Sequence, residues 1–318
     1  MVNLKEMYHD IATHIKSQET VRKEFSMNEI VYDVYFQPTA PDEGIHIPSI
    51  IVIPKNKTIS PQIILESNNL ETDNMERVIE QALETGKKLA ELTADVPAPI
   101  IIPLIPSRGP IPYFQQLSRE CFELDPSNEY YKIDEQIVKL IEVTKELLLK
   151  QYGLQAEDKV FLNGYSSSGV FAQRFALLHP ELVDTACIGG ASGSIPIPST
   201  QIGYPIGIKD YKELFGKSFD FNSYSSIRFR YYVGELEASR KSEDRYDEQG
   251  HPAPMHDMSY FSKSVPEEIG ILQRKALGTG LLERAEKTVT YLKKCRINIV
   301  HTVIPGRYHN NMIGKRCK

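Results

Sequence analysis

A serine becomes a nucleophile when a histidine takes its proton and a carboxylate steadies that histidine. Three separate stretches of this sequence offer those residue types. The first is Lys159-Val160-Phe161-Leu162-Asn163-Gly164-Tyr165-Ser166-Ser167-Ser168-Gly169, followed by a helical pattern over 170–178. A short apolar strand runs into a turn of small residues around Ser166, a path that lifts a serine hydroxyl above the end of a parallel sheet. So sharp a turn brings neighbouring backbone close, so the positions two before and two after the nucleophile must be small, glycine best of all. Gly164 and Ser168 occupy them, with Gly169 one place later. With Ser167 as nucleophile, Tyr165 would fall where a small residue is needed; with Ser168, Val170 would. The helix that follows aims its first N–H groups at the site, which makes the N–H of Ser167 a donor for a developing oxyanion.

A nucleophile on such a turn is followed along the chain by the acid and then by the histidine. The last strand pattern, 297–304, runs into Pro305-Gly306-Arg307-Tyr308-His309, so His309 is the candidate base. The other histidines fit less well. His9 and His14 lie in an N-terminal helical stretch, His46 in an early strand, and His301 inside a strand. His179 ends the helix after the serine, where a histidine complements the helix dipole. His251 and His256 sit in a long polar segment suited to lining a cleft. The acid belongs after the strand at 227–233, in Val233-Gly234-Glu235-Leu236-Glu237. Glu237 is preferred and Glu235 is its rival, with Asp244 and Asp247 as distant reserves. The second oxyanion donor is expected from Ser67-Asn68-Asn69-Leu70, through the backbone amides of Asn69 and Leu70, because asparagine tolerates unusual backbone angles. Asp73 or Asn74 caps the helix that follows.

The elements that must hold these groups alternate along the chain. Met7, Ile11 and Ile15 at four-residue steps read as a helix over 5–23. Residues 30–36 and 45–53 are β-branched and aromatic, an antiparallel pair joined through a Pro-Asp-Glu-Gly turn. Strand patterns at 62–66, 100–105, 160–163, 183–188, 227–233 and 297–304 then alternate with helical patterns at 75–92, 133–149 and 281–294. Such alternation predicts an α/β protein with a mostly parallel central sheet, helices on both faces, and an antiparallel N-terminal start. Ligands of such sheets bind beyond the carboxyl ends of the strands.

The 318 residues, 41% hydrophobic and 25% charged, suffice for one large α/β domain or two small ones. With no internal repeat and no low-complexity linker, the reading is a single domain over 1–318. A formal net charge of -5 and the lack of a basic stripe argue against nucleic-acid binding. The N-terminus lacks the apolar core of a secretory signal, and no segment approaches the length of a membrane span. Cys121, Cys187, Cys295 and Cys317 are scattered without metal-like spacing, and read as free thiols of a cytoplasmic protein.

Gly164-Tyr165-Ser166-Ser167-Ser168-Gly169, Val233-Gly234-Glu235-Leu236-Glu237 and Gly306-Arg307-Tyr308-His309 together resemble the α/β-hydrolase superfamily, over most of the chain from about residue 45 to 309. The second stretch is similar to the Gly-Glu-x-Asp turn of bacterial esterases of this class, in which the last acid is catalytic. Carried over by position, that role falls on Glu237, with glutamate in place of aspartate. The resemblance implies serine esterase or related acyl-hydrolase activity on a small-molecule ester, with no metal and no organic cofactor. Thioesterases, peptidases, acyltransferases, lyases and non-catalytic ligand receptors share the scaffold and stand as alternatives.

Two stretches read as additions to the core, 195–224 and 239–277, placed as lid or cleft insertions. Tyr165, Tyr113 and His256 are the candidate substrate-binding residues, the last two drawn from segments that would overhang the site.

Overall fold

The computed structural model describes residues 11, 20–55, 59–69, 72–105, 114–191, 195–237, 265–278 and 281–307. The chain divides into two compact units, 1–163 and 164–318.

In the first unit, β1 (Val21–Met27), β2 (Ile30–Gln37) and β3 (Ser49–Pro54) run antiparallel. Asn28 and Glu29, with φ of 52° and 63°, make the two-residue turn between β1 and β2, the left-handed pair that suits the twist of a tight hairpin. β3 pairs antiparallel with β5 (Ile100–Pro103), which lies parallel to β4 (Ile64–Leu65). β4 in turn pairs parallel with β6 (Val160–Tyr165). Pro103 is tolerated because it closes its strand rather than interrupting it.

Two long helices cover these strands. The side chain of Asn74 caps α1 (Met75–Leu92) by accepting from the Arg77 N–H at 3.2 Å. Its buried stripe includes Val78, Ile79, Ala82, Leu83 and Leu89. At Gly86 the helix comes so close to the sheet that a Cβ would lie 3.0 Å from Val52 and 3.3 Å from Ile102. The second helix, α2 (Ile133–Tyr152), ends on Gly153 in the left-handed conformation, φ 63°. Its last residue, Tyr152, donates at 2.5 Å to the buried Asp33 carboxylate of β2, which also pairs with Arg22 at 2.7 Å.

The expected helix over 5–23 fails at its end, because Val21, Arg22 and Lys23 open β1. Val21 and Phe25, both buried, are four residues apart, a spacing that one helical turn and two strand repeats share. Most of that expected helix lies outside the described residues.

In the second unit, α3 (Ser167–Leu178) is buried along its whole length and packs on β7 (Val183–Gly189). β7, β8 (Arg228–Gly234) and β9 (Ile299–Ile304) are parallel neighbours in that order. Between β7 and β8 lie α4 (Tyr211–Phe215) and α5 (Phe221–Ser226). Here Tyr204, Tyr211, Phe215, Phe219 and Tyr224 interlock edge to face, and the Tyr211 hydroxyl donates to the Leu177 and Leu178 carbonyls at the end of α3. These rings pack together within residues 195–224. Of 239–277, the described part is mainly α6 (Glu267–Leu277), and α7 (Leu281–Lys294) leads into β9.

The nine strands among the described residues are thus mostly parallel after an antiparallel start. No helix among the described residues is long and apolar enough to cross a membrane. The expectation of four free thiols needs correcting. Cys121 and Cys295 are not disulfide-bonded, but Cys187 in β7 is. Disulfides persist in oxidising compartments, so the thiol argument for a reducing cytoplasm does not stand.

Candidate active site

Ser166 sits where β6 turns into α3, with φ 58° and ψ -119°, a backbone conformation that a residue bearing a side chain adopts only under constraint. Three features impose it. The Ser166 N–H donates to the Gly189 carbonyl at the end of β7, 2.9 Å away. Gly164 leaves room for the turn, since a Cβ there would lie 2.2 Å from the Ser168 carbonyl oxygen. Ser168 closes the turn, its hydroxyl accepting from the Tyr165 N–H at 2.9 Å and donating to the Tyr165 carbonyl at 3.0 Å.

The serine in place of a second glycine is therefore a brace rather than a filler. The close approach that glycine serves has moved to Gly169, where a Cβ would lie 2.9 Å from the Gly189 carbonyl oxygen. The Ser166 side chain does not cap α3, and Ser167 opens that helix. First-turn N–H groups have no helical carbonyl to bond and point at the helix end.

Parallel pairing carries the neighbouring strands to the same edge. The Gly190 N–H donates to the Tyr232 carbonyl at 3.1 Å, and Gly234 lies in register with Ile304. The turns after β8 and β9 therefore leave the carboxyl edge from which Ser166 rises, the edge where such sheets bind ligands.

The turn after β8 separates the two candidate acids. Glu237 is 1% exposed, and its Oε1 accepts from the Gly234 N–H at 2.9 Å. Glu235 is exposed, and its Oε2 accepts from the Gly306 N–H at 2.8 Å in the turn after β9. Burial, and secondarily the nearby Glu237 carboxylate, push the Tyr231 hydroxyl well above its ordinary range. Tyr232 points the opposite way along the strand, and its ring stacks on that of Tyr165 with centroids 6.2 Å apart. The Tyr232 ring reaches over Gly189, where a Cβ would lie 2.1 Å from it.

In the first unit, the loop after β4 is fixed by side chains. Asn68 brackets Ile105, donating to its carbonyl at 2.9 Å and accepting from its N–H at 2.8 Å. The Asn69 N–H donates to Gln81 Oε1 on α1 at 3.1 Å. Glu66, at the end of β4, accepts from the Asn163 side chain at 2.6 Å.

Leu70, Tyr113, His256 and His309 lie outside the described residues. Sequence reasoning missed the roles of Ser168, Asn68, Gln81 and Tyr232. Only Tyr232 left a signal, since strand alternation turns it away from Tyr231. Among the described residues no group of three or more His, Cys, Asp or Glu side chains is arranged to hold a metal ion.

Neither a protein-family model nor a curated protein matches the sequence. Solved structures resemble the chain in fold. Poly(aspartic acid) hydrolase-1 from Sphingomonas sp. KT-1 is 14% identical with a TM-score of 0.50, over 91% of this chain and 93% of its own. The poly(3-hydroxybutyrate) depolymerase LpqC from Bordetella parapertussis is 11% identical with a TM-score of 0.51, over 97% of this chain and 89% of its own. The chain has the α/β-hydrolase fold.

Proposed function

We propose that this chain is a serine hydrolase that cleaves a carboxylic ester, or a related acyl bond, of a small molecule through an acyl-enzyme on Ser166. The observation that carries the reading is the left-handed backbone of Ser166 on the turn from β6 to α3. Strain of this kind persists where surrounding structure enforces it, and here it presents a hydroxyl rather than a glycine.

In the proposed reaction His309 takes the Ser166 proton as the oxygen attacks the ester carbonyl. The oxyanion is met by the N–H of Ser167 and by a donor from the loop after β4, Asn69 or Leu70. The Asn69 N–H bonds Gln81 in this structure, so in that role it would first exchange partners. His309 returns the proton to the leaving alcohol, the alcohol departs, and water activated by the same imidazole releases the acid and regenerates Ser166.

Glu237 is the acid of choice. A carboxylate that orients an imidazole works best away from water and held by a fixed donor, and Glu237 is buried against the Gly234 N–H whereas Glu235 is exposed. Tyr165, Tyr113 and His256 are the proposed substrate contacts. The fold by itself does not choose the reaction.

The test is hydrolysis of short acyl p-nitrophenyl esters by wild-type protein and Ser166→Ala. Loss of roughly a thousandfold or more in kcat is expected on removing the nucleophile. Wild-type protein inert to such esters would favour a ligand-binding role, and a peptide or thioester substrate in their place would move it to another class on this scaffold.

A further inference from the structure

The turns after β8 and β9 are stitched together at three consecutive residues. Gly234 lies so close to Arg307 that a Cβ would stand 2.3 Å from the Arg307 carbonyl oxygen. Glu235 Oε2 accepts from the Gly306 N–H at 2.8 Å. The Leu236 N–H donates to the Arg307 carbonyl at 3.0 Å. Of these contacts only that of Glu235 is made by a side chain. Glu235 is exposed, and an exposed carboxylate at a sheet rim normally points into water. This one spends an oxygen on a backbone N–H contributed by a different strand's turn. A carboxylate acceptor makes that bond stronger than a neutral one would. Gly306 itself is left-handed, φ 63°, so the course of the chain beyond it depends on how that peptide is held. Two residues after Arg307 in the sequence comes His309.

We propose that Glu235 is a positioning residue, whose clasp on the Gly306 N–H sets the path of the chain into His309 while Glu237 serves as the acid. The proposal rests on the reading of His309 as the base. It gives the paired glutamates of one turn separate tasks, the buried one as the acid and the exposed one as the clasp on the Gly306 peptide. Small displacements of a catalytic group cost rate far more than they cost binding.

Glu235→Gln keeps an oxygen that accepts from Gly306, whereas Glu235→Ala keeps none. Positioning is therefore rescued by glutamine, and the charge of a triad acid is not. We would measure kcat and KM on a short acyl ester, and amide hydrogen exchange at Gly306, for wild-type protein and both variants. Glu235→Ala is expected to lower kcat about tenfold or more with KM within about twofold. Glu235→Gln should recover kcat to within about threefold of wild type, because the hydrogen bond is weakened but retained. Exchange at Gly306 should speed up in the alanine variant and much less in the glutamine variant. Unchanged exchange in Glu235→Ala, or wild-type kcat in that variant, overturns the proposal. Equal loss of activity in both variants also overturns it and makes Glu235 the acid. Wild-type protein that neither turns over an ester nor takes a fluorophosphonate label overturns the hydrolase reading beneath it, an outcome distinct from unchanged exchange.

Discussion

Gly164 and Ser168 cross so closely that a methyl group on the first would lie 2.2 Å from the carbonyl oxygen of the second. The obstructing atom is backbone, so no side chain can swing away to relieve it. Gly164→Ala is therefore expected to destabilise the fold by about 3 kcal/mol, read as a lowered midpoint in urea. A conservative surface exchange such as Lys150→Arg should leave the midpoint unchanged.

Ser166 stabilises nothing by its backbone conformation. A residue with a side chain at φ 58° and ψ -119° carries strain that glycine does not. Ser166→Gly is expected to be more stable than wild type by about 1 kcal/mol, after the extra unfolded-state entropy of glycine is set against the relieved strain. Thermal unfolding checks this: an apparent Tm above wild type, together with loss of ester hydrolysis, is the expected pairing.

The helices α1 and α7 were legible in the sequence because long amphipathic stretches repeat their signal over several turns. Their observed limits, Met75–Leu92 and Leu281–Lys294, coincide with the periodic patterns. The serine turn was legible because sterics leave so few residue types at Gly164 and Ser168. The strand β1 was not, because buried Val21 and Phe25 satisfy both periods at once. Nor could sequence rank Glu235 against Glu237. Both are glutamates in one polar turn, and only packing buries the second while the first reaches Gly306. The brace from Ser168 to Tyr165 was equally hidden, since a serine there looks like a small-residue substitute until its hydroxyl is seen bonding both the N–H and the carbonyl of one residue.

Acid should expose the Asp33 cluster. Burial alone would raise the Asp33 carboxyl, but the Arg22 guanidinium and the Tyr152 hydroxyl outweigh it and hold the group below its ordinary 3.8. A carboxylate so depressed stabilises the fold in full above 3.8 and loses that contribution as pH falls through its lower folded value. Asp33→Asn should therefore have a lower Tm than wild type near neutrality. That gap should hold down to about pH 5 and shrink under strongly acid conditions. A gap that widens with acidification would show that Asp33 does not titrate as its partners dictate.

The disulfide at Cys187 makes a counting experiment decisive. The sequence holds 4 cysteines, and Cys121 and Cys295 are not disulfide-bonded. Thiol titration of the denatured, unreduced protein should find 4 − 2 = 2 reactive groups, those of Cys121 and Cys295, and reduction should raise the count to all 4. Four thiols before reduction, in protein purified without reductant from an oxidising compartment, would show that the bond does not form.

The most direct measurement is reaction of the intact, folded protein with a fluorophosphonate probe, followed by peptide mapping of the adduct. An activated serine attacks phosphorus and expels fluoride, whereas an ordinary hydroxyl does not react at a comparable rate. The expected result is a single adduct on Ser166, absent in Ser166→Ala and strongly slowed in His309→Ala. A folded protein that stays unlabelled, or that carries the adduct on a serine outside the turn from β6 to α3, would contradict the account.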